Sequence, residues 1–237
     1  MPKENSAFLD FVRLVVKGDV NDVSRRLMAN PALATARAEV GATRQDATDF
    51  FFTEICHYLY AGDTALHMAA AAFRRPLAEL LVAHGADWRA KNRRGAQPLH
   101  YAADSNRWEP TAQAEMIAYL LSIGAGPNVT DRSGVAPLHR AVRTRSSPAV
   151  RALLDGGANP RARNKAGSTP LHLAVQTTGR GGSGSPHARQ QQADIIRLLL
   201  ERGAKPADKD GRGKQVRQAA TSEWVRTLLA TGRGPTG

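Results

Sequence analysis

Apolar residues along this chain come in paired blocks separated by polar stretches. A short block recurs as LHMAA at 66–70, LHYAA at 99–103, LHRAV at 138–142 and LHLAV at 171–175. Each is followed by a longer apolar run that passes through Gly-Ala: ELLVAHGAD at 79–87, YLLSIGAGP at 119–127, ALLDGGANP at 152–160 and LLLERGAKP at 198–206. Each pair of blocks predicts a pair of helices, with Leu66, Leu99, Leu138 and Leu171 facing the core. Pro98, Pro137 and Pro170 suit the first turn of the first helix, where an amide donor is dispensable. Thr64 and Thr169 suit the capping position before it, and Gln97 and Ala136 at the same place predict weaker starts. The second helix is expected to stop at Gly85, Gly124, Gly157 and Gly203, each placed for a left-handed C-terminal cap.

The glycines that open the short blocks, Gly62, Gly95, Gly134 and Gly167, are 33, 39 and 33 residues apart, and the fourth unit runs 46 residues to Arg212. The base period is 33. The G-x-T-P-L-H-x-A-A block and the later L-L-x-x-G-A block strongly resemble the ankyrin repeat, a turn followed by two antiparallel helices. The resemblance implies an all-α solenoid of helix-turn-helix units with hairpin fingers, in which four full repeats lie between degenerate caps. On this reading 1–237 is a single domain: a capping unit at 1–40, a hook insertion at 41–61, repeats at 62–94, 95–133, 134–166 and 167–212, a second capping unit at 213–232 and a disordered tail at 233–237. The outer helix surface of the last cap, with Lys214, Arg217 and Arg226, is expected to close the stack against water.

The interruptions of the period carry the individual information. The segment 41–61 is rich in aromatics (Phe50, Phe51, Phe52, Tyr58, Tyr60) and in acids (Asp46, Asp49, Glu54). An elongated hairpin or hooked loop is expected there, its rings either covering the edge of the stack or forming a contact patch. NRWEPT at 106–111 and TGRGGSGSPHARQ at 178–190 fall between the two helices of a repeat, and the second is expected to be a flexible spacer.

Composition narrows the chemistry. The chain has 237 residues, 42% of them hydrophobic and only 5% aromatic, which suits helices packed through Ala, Leu and Val. No apolar run is long enough for a membrane span, and the N-terminal stretch, which carries acids and lacks a small-residue cleavage site after a long apolar run, reads as mature protein rather than a signal peptide. A single cysteine, Cys56, excludes an internal disulfide, and the cytoplasm is the expected compartment. The formal charge is +12. It is uneven: residues 1–73 hold 7 Lys/Arg and 9 Asp/Glu, residues 74–237 hold 26 and 12. Arginines number 26 against 7 lysines. Codon composition and an acidic partner both account for that excess.

Catalysis is not expected. His67, His100, His139 and His172 occupy one repeat position, and the resemblance implies a structural role, bonding near the turn and linking neighbouring repeats. No cysteine–histidine spacing suits zinc, no hydrolase or nucleotide motif is present, and TGRGGSG lacks the lysine of a phosphate-binding loop. No cofactor, metal or catalytic residue is therefore assigned. The resemblance instead implies binding through finger tips and first helices. The outward positions there are Trp88, Lys91, Arg93, Arg94, Arg132, Arg163 and Lys165 on fingers, and Tyr101, Arg140 and Arg143 on first helices, with Ser105 and Thr177 just beyond. Over 132–165 there are 8 Lys/Arg and one acid, Asp155. The expected partner is a protein with an acidic segment, since arginine pairs bidentately with carboxylates. Nucleic acid is the alternative, no membrane partner is expected, and the chain is expected to be a monomer.

Overall fold

The paired apolar blocks fold as paired helices in the computed structural model of the chain, which describes residues 3–43, 45, 47–104, 109–176 and 184–231, those at 3–6 by backbone alone. Asp46, Ser105, residues 106–108 of the second insertion, Thr177, residues 178–183 of the third, and the expected tail at 233–237 lie outside the described residues. The fold is all-α, built of stacked helix pairs apart from one two-stranded hairpin. Its contacts group into two units, Met1–Gly126 and Pro127–Gly237.

The first unit begins with α1 (Lys3–Lys17) and α2 (Val20–Ala29). Between them the Asp19 carboxylate accepts from the Asp22 amide at 2.9 Å, which caps α2. Two repeats follow: α3 (Ala65–Ala71) with α4 (Arg75–Ala83), then α5 (Pro98–Ala103) with α6 (Pro110–Ser122). First helices pack on first helices and second on second, as α1 on α3, α3 on α5, α2 on α4 and α4 on α6. In the second unit α7 (Pro137–Arg143) and α8 (Ser147–Asp155) stack on α9 (Pro170–Ala174) and α10 (Pro186–Glu201), which α11 (Val216–Ala219) and α12 (Glu223–Thr231) close. Leu66, Leu99, Leu138 and Leu171 are all buried, as their spacing predicts. The four helix-ending glycines take φ between 86° and 96°.

A histidine starts every repeat, whatever residue stands at the cap. The backbone N–H of Thr64, Gln97, Ala136 and Thr169 donates to Nδ1 of His67, His100, His139 and His172 at 3.1–3.2 Å. The starts at Gln97 and Ala136 therefore keep the same histidine closure as those at Thr64 and Thr169. The other ring nitrogen reaches the next repeat: His67 Nε2 lies 3.1 Å from the Ala96 carbonyl, His139 Nε2 3.2 Å from Ser168, and His172 Nε2 3.2 Å from Lys214.

Fingers are built from one recurring side chain. Oδ1 of Asn92, Asp131, Asn164 and Asp210 accepts from the amides two and four residues on, at 2.8–3.0 Å. Such Asx turns satisfy the tip without a long ladder. The turn between helices has two solutions. Where it is short, a residue in the left-handed region reverses the chain, Phe73 at φ 54° and Arg145 at φ 60°. Where an insertion lengthens it, a buried glutamine caps the first helix: Gln113 Nε2 donates to the Ala102 carbonyl at 2.9 Å and Gln192 Nε2 to Ala174 at 2.7 Å. The third insertion is also shorter than its composition suggests. Residues 186–190 are not spacer but the first turn of α10, because Ser185 accepts from the Ala188 amide at 3.2 Å and Pro186 pre-sets the helix.

Candidate partner-binding surface

The segment 41–61 folds as a small hairpin, β1 (Phe51–Phe52) paired antiparallel with β2 (His57–Tyr58). It crosses back on itself at Gly41, where a Cβ would meet the backbone of Ala61 and Tyr60 at 2.6 Å. Only glycine tolerates that approach. Its rings divide between two faces. Phe50, Phe52, Ile55 and Leu59 are buried and anchor it. Phe51 and Tyr58, directly paired across the strands, are 37% and 36% exposed and lie with centroids 4.7 Å apart.

Under the hairpin is a buried polar cluster that sequence reasoning missed. Asp63 is fully buried and accepts from the Tyr60 amide at 2.6 Å, Asn92 Nδ2 at 2.9 Å and the Tyr101 hydroxyl at 2.8 Å. These donors explain how a carboxylate is held out of water. The cluster corrects one expected site residue. Tyr101 does not face outward: it is 1% exposed, its hydroxyl is spent on Asp63, and the His57 ring lies 4.6 Å away. Met68, at the same repeat position, is also buried, whereas Arg140 and Leu173 at that position in the second unit are partly exposed. His67 lies beside the cluster, with Nε2 4.0 Å from Asp63. Burial lowers its pKa to about 3 despite the Ala96 carbonyl, so the contact is not an ion pair at neutral pH.

The remaining expected site residues divide by what their charge already meets. On the first finger Lys91, Arg93 and Arg94 are exposed, as are Arg89 beside them and Arg37, which donates to the Lys91 carbonyl at 3.0 Å. Among the described residues none of these five is paired with a carboxylate. The Arg94 guanidinium lies 4.5 Å from the Tyr60 ring centre and that of Arg93 5.5 Å, and Arg93 also donates to the Ala42 carbonyl. Trp88 is half-buried under Arg89, whose guanidinium is 5.0 Å from its ring.

In the second unit the basic residues are partly consumed. Arg140 is not an open contact position: its side chain is 12% exposed and bound to Asp131 at 2.9 Å. Burial opposes the Asp131 charge, but Arg140 and the amides of Val135 and Ser133 outweigh it and lower the pKa. Arg161 grips Asp208 with two bonds of 2.9 and 2.7 Å. Arg163 is exposed yet donates to the carbonyls of Gly167 and Lys209, which ties one finger to the next. Arg132, Arg143 and Lys165 are exposed.

Cys56 and His57 make contacts within the hairpin. Cys56 sits at φ 48° in the hairpin turn, with its thiol donating to the Thr53 carbonyl at 3.5 Å, while Nδ1 of His57 meets the Tyr58 carbonyl at 2.9 Å. Among the described residues no group of three His, Cys, Asp or Glu is placed to hold a metal ion, and no helix is long and apolar enough to cross a membrane. The family model for ankyrin repeats, a unit of three copies, matches residues 33–131 and 110–210.

Proposed function

The chain belongs to the ankyrin-repeat family, whose repeats mediate protein–protein interactions, and we propose that it is a non-catalytic adaptor that binds the acidic segment of a protein partner through its basic fingers. The observation that carries this reading is the first finger. Arg89, Lys91, Arg93 and Arg94 are exposed within six residues, with no carboxylate partner among the described residues. Elsewhere the chain spends its arginines on its own acids and carbonyls, as Arg140, Arg161 and Arg163 do. A row of uncompensated cations weakens the folded state by self-repulsion, and an acidic partner removes that cost. Arg132 and Lys165 offer the second unit's open charge. The exposed free thiol of Cys56 fits a reducing, cytoplasmic setting, and we take the chain to act as a monomer.

Charge reversal separates binding from folding. Lys91→Glu with Arg94→Glu should leave the helical circular dichroism unchanged and reduce capture of the partner from lysate at least tenfold. Capture that survives both changes refutes the basic-finger reading. Nucleic acid is the alternative carried by the same cations, and salt separates the two. A polyphosphate gives a steep log–log loss of affinity with salt and capture that nuclease abolishes.

A further inference from the structure

The open charge of the first finger is continuous with an aromatic ladder on the hairpin. Phe51 packs on Tyr58 at 4.7 Å, Tyr58 faces Tyr60 at 6.3 Å, and Tyr60 lies 4.5 Å under Arg94. Phe51 and Tyr58 are two of the few large apolar side chains that the described residues leave exposed. The hairpin has a buried face that anchors it, so these rings are not needed to hold it down. The surface is thus apolar at one end and cationic at the other.

We propose that this ladder is a peptide-docking site, and that it takes an extended segment carrying an acidic side chain close to an aromatic or large aliphatic one. The inference rests on the basic-finger reading and adds the apolar half of the recognition. Charge complementarity sets the direction: the acid pairs with Arg94 and Arg93, and the apolar side chain lies on Phe51 and Tyr58. Three steps of 4.7, 6.3 and 4.5 Å span no more than about five residues of extended chain at ~3.3 Å each. The acid and the apolar residue therefore lie within about four positions of each other. Arginine beside aromatic rings also suits single-stranded nucleic acid, and two observations disfavour it here. Phe51 and Tyr58 already pack against each other, tilted by 48°, which leaves no slot for a base between them. Asp49 and Glu54 are exposed on the same hairpin and repel a chain charged at every unit, but not a peptide whose acid is confined to the arginine end.

The test is selection of a random dodecapeptide library, displayed on phage, against the immobilised full chain. Wild type should enrich peptides with an acid and an aromatic or aliphatic residue within about four positions. Phe51→Thr with Tyr58→Thr, both exposed and kept β-compatible, should drop the apolar requirement and retain the acid, and weaken a selected peptide about tenfold or more. Arg93→Gln with Arg94→Gln should drop the acid. If wild type selects acids with no apolar requirement, or the threonine pair leaves selection and affinity unchanged, the docking inference is wrong and the basic-finger reading stands. If no acid is selected, or no sequence is enriched, both fail. Tighter binding of a labelled oligonucleotide than of any selected peptide, lost in the threonine pair, would assign the ladder to nucleic acid and overturn the proposal.

Discussion

Acid should destabilise this protein through its histidine caps before Asp131, Asp208 and Asp210 lose their contribution. His67 accepts the Thr64 amide at Nδ1 and reaches the Ala96 carbonyl through Nε2, both at 3.1 Å. That arrangement requires neutral imidazole with the proton on Nε2. Protonation at Nδ1 would set a donor against a donor inside a fully buried site. Burial is the main cause that brings its pKa from 6.5 to about 3; the Ala96 carbonyl opposes the shift, and the nearby His100, Arg37 and His57 add to it. The unfolded chain takes up this proton below pH 6.5 and the folded chain does not. Stability is therefore complete above pH 6.5 and falls as pH drops towards 3, by about 1.4 kcal/mol per pH unit for this residue. At pH 4.5 the loss is roughly 2.7 kcal/mol, a sizeable part of the ~5–15 kcal/mol that holds an ordinary domain. Burial lowers His139 as well, which acts in the same sense. The carboxylates with lowered pKa, Asp131, Asp208 and Asp210, lose their contribution only below about pH 4. The window from 6.5 to 4.5 thus reports imidazole. Urea unfolding followed by circular dichroism at pH 7.5, 6.5, 5.5 and 4.5 measures it, with His67→Gln as the comparison. The variant should be less stable at pH 7.5 but lose less on acidification, by about 1.4 kcal/mol per unit. Parallel pH dependences for wild type and variant would refute the argument.

Two further substitutions test the inter-helix turns. Gln192→Ala removes donors to the carbonyls of Ala174 and Gln176 at 2.7 and 3.2 Å and should cost about 1–3 kcal/mol in urea unfolding, whereas a change within ~0.5 kcal/mol would mean that water replaces the amide. Arg145→Gly should be about 1 kcal/mol more stable than Arg145→Ala, since both lose the bond to the Gln176 carbonyl but only glycine relieves a φ of 60°; an alanine variant as stable as the glycine one would show that the turn relaxes.

The repeat was legible because its physics is periodic. Leucines in the core, glycines at helix ends and a histidine near each helix start recur at fixed offsets, and each meets the same surroundings in every copy. The finger turn was equally legible: NRRG, DRSG, NKAG and DGRG set an Asn or Asp three residues before Gly95, Gly134, Gly167 and Gly213. The partners of the aperiodic residues were not readable. Nothing in GDT at 62–64 says that Asp63 is buried, because its donors come from positions 60, 92 and 101. The expectation that Tyr101 faces outward failed for the same reason. The same repeat position is partly open in the second unit, and the ring of His57 that lies against Tyr101 comes from some 40 residues upstream. The start of α10 was missed because glycine and serine dominate 178–185, which hides the Ser185-Pro186 cap that begins a helix inside the insertion.

Charge counted along the sequence overstated the second unit and understated the first. Over 132–165 basic residues outnumber acids eight to one, yet Arg140 is held by Asp131 and Arg163 by two carbonyls, so that part of the excess is mortar between fingers. The N-terminal third is the more acidic by composition, but Asp63 is buried and fully hydrogen-bonded, and it shows nothing to a partner. What faces solvent near it is the row from Arg89 to Arg94 and the rings of the hairpin. The repeats supply similar frames, in which finger cations such as Arg161 and Arg163 bond to acids and carbonyls of the chain itself. The insertion at 41–61 changes this on one finger alone. It roofs Tyr101, whose repeat position is partly open in the second unit, and lays Tyr60 beneath Arg93 and Arg94. A ring face under a guanidinium fixes its direction without neutralising it, which preserves full charge for an incoming carboxylate. On the proposed reading, specificity in this chain resides where the period breaks.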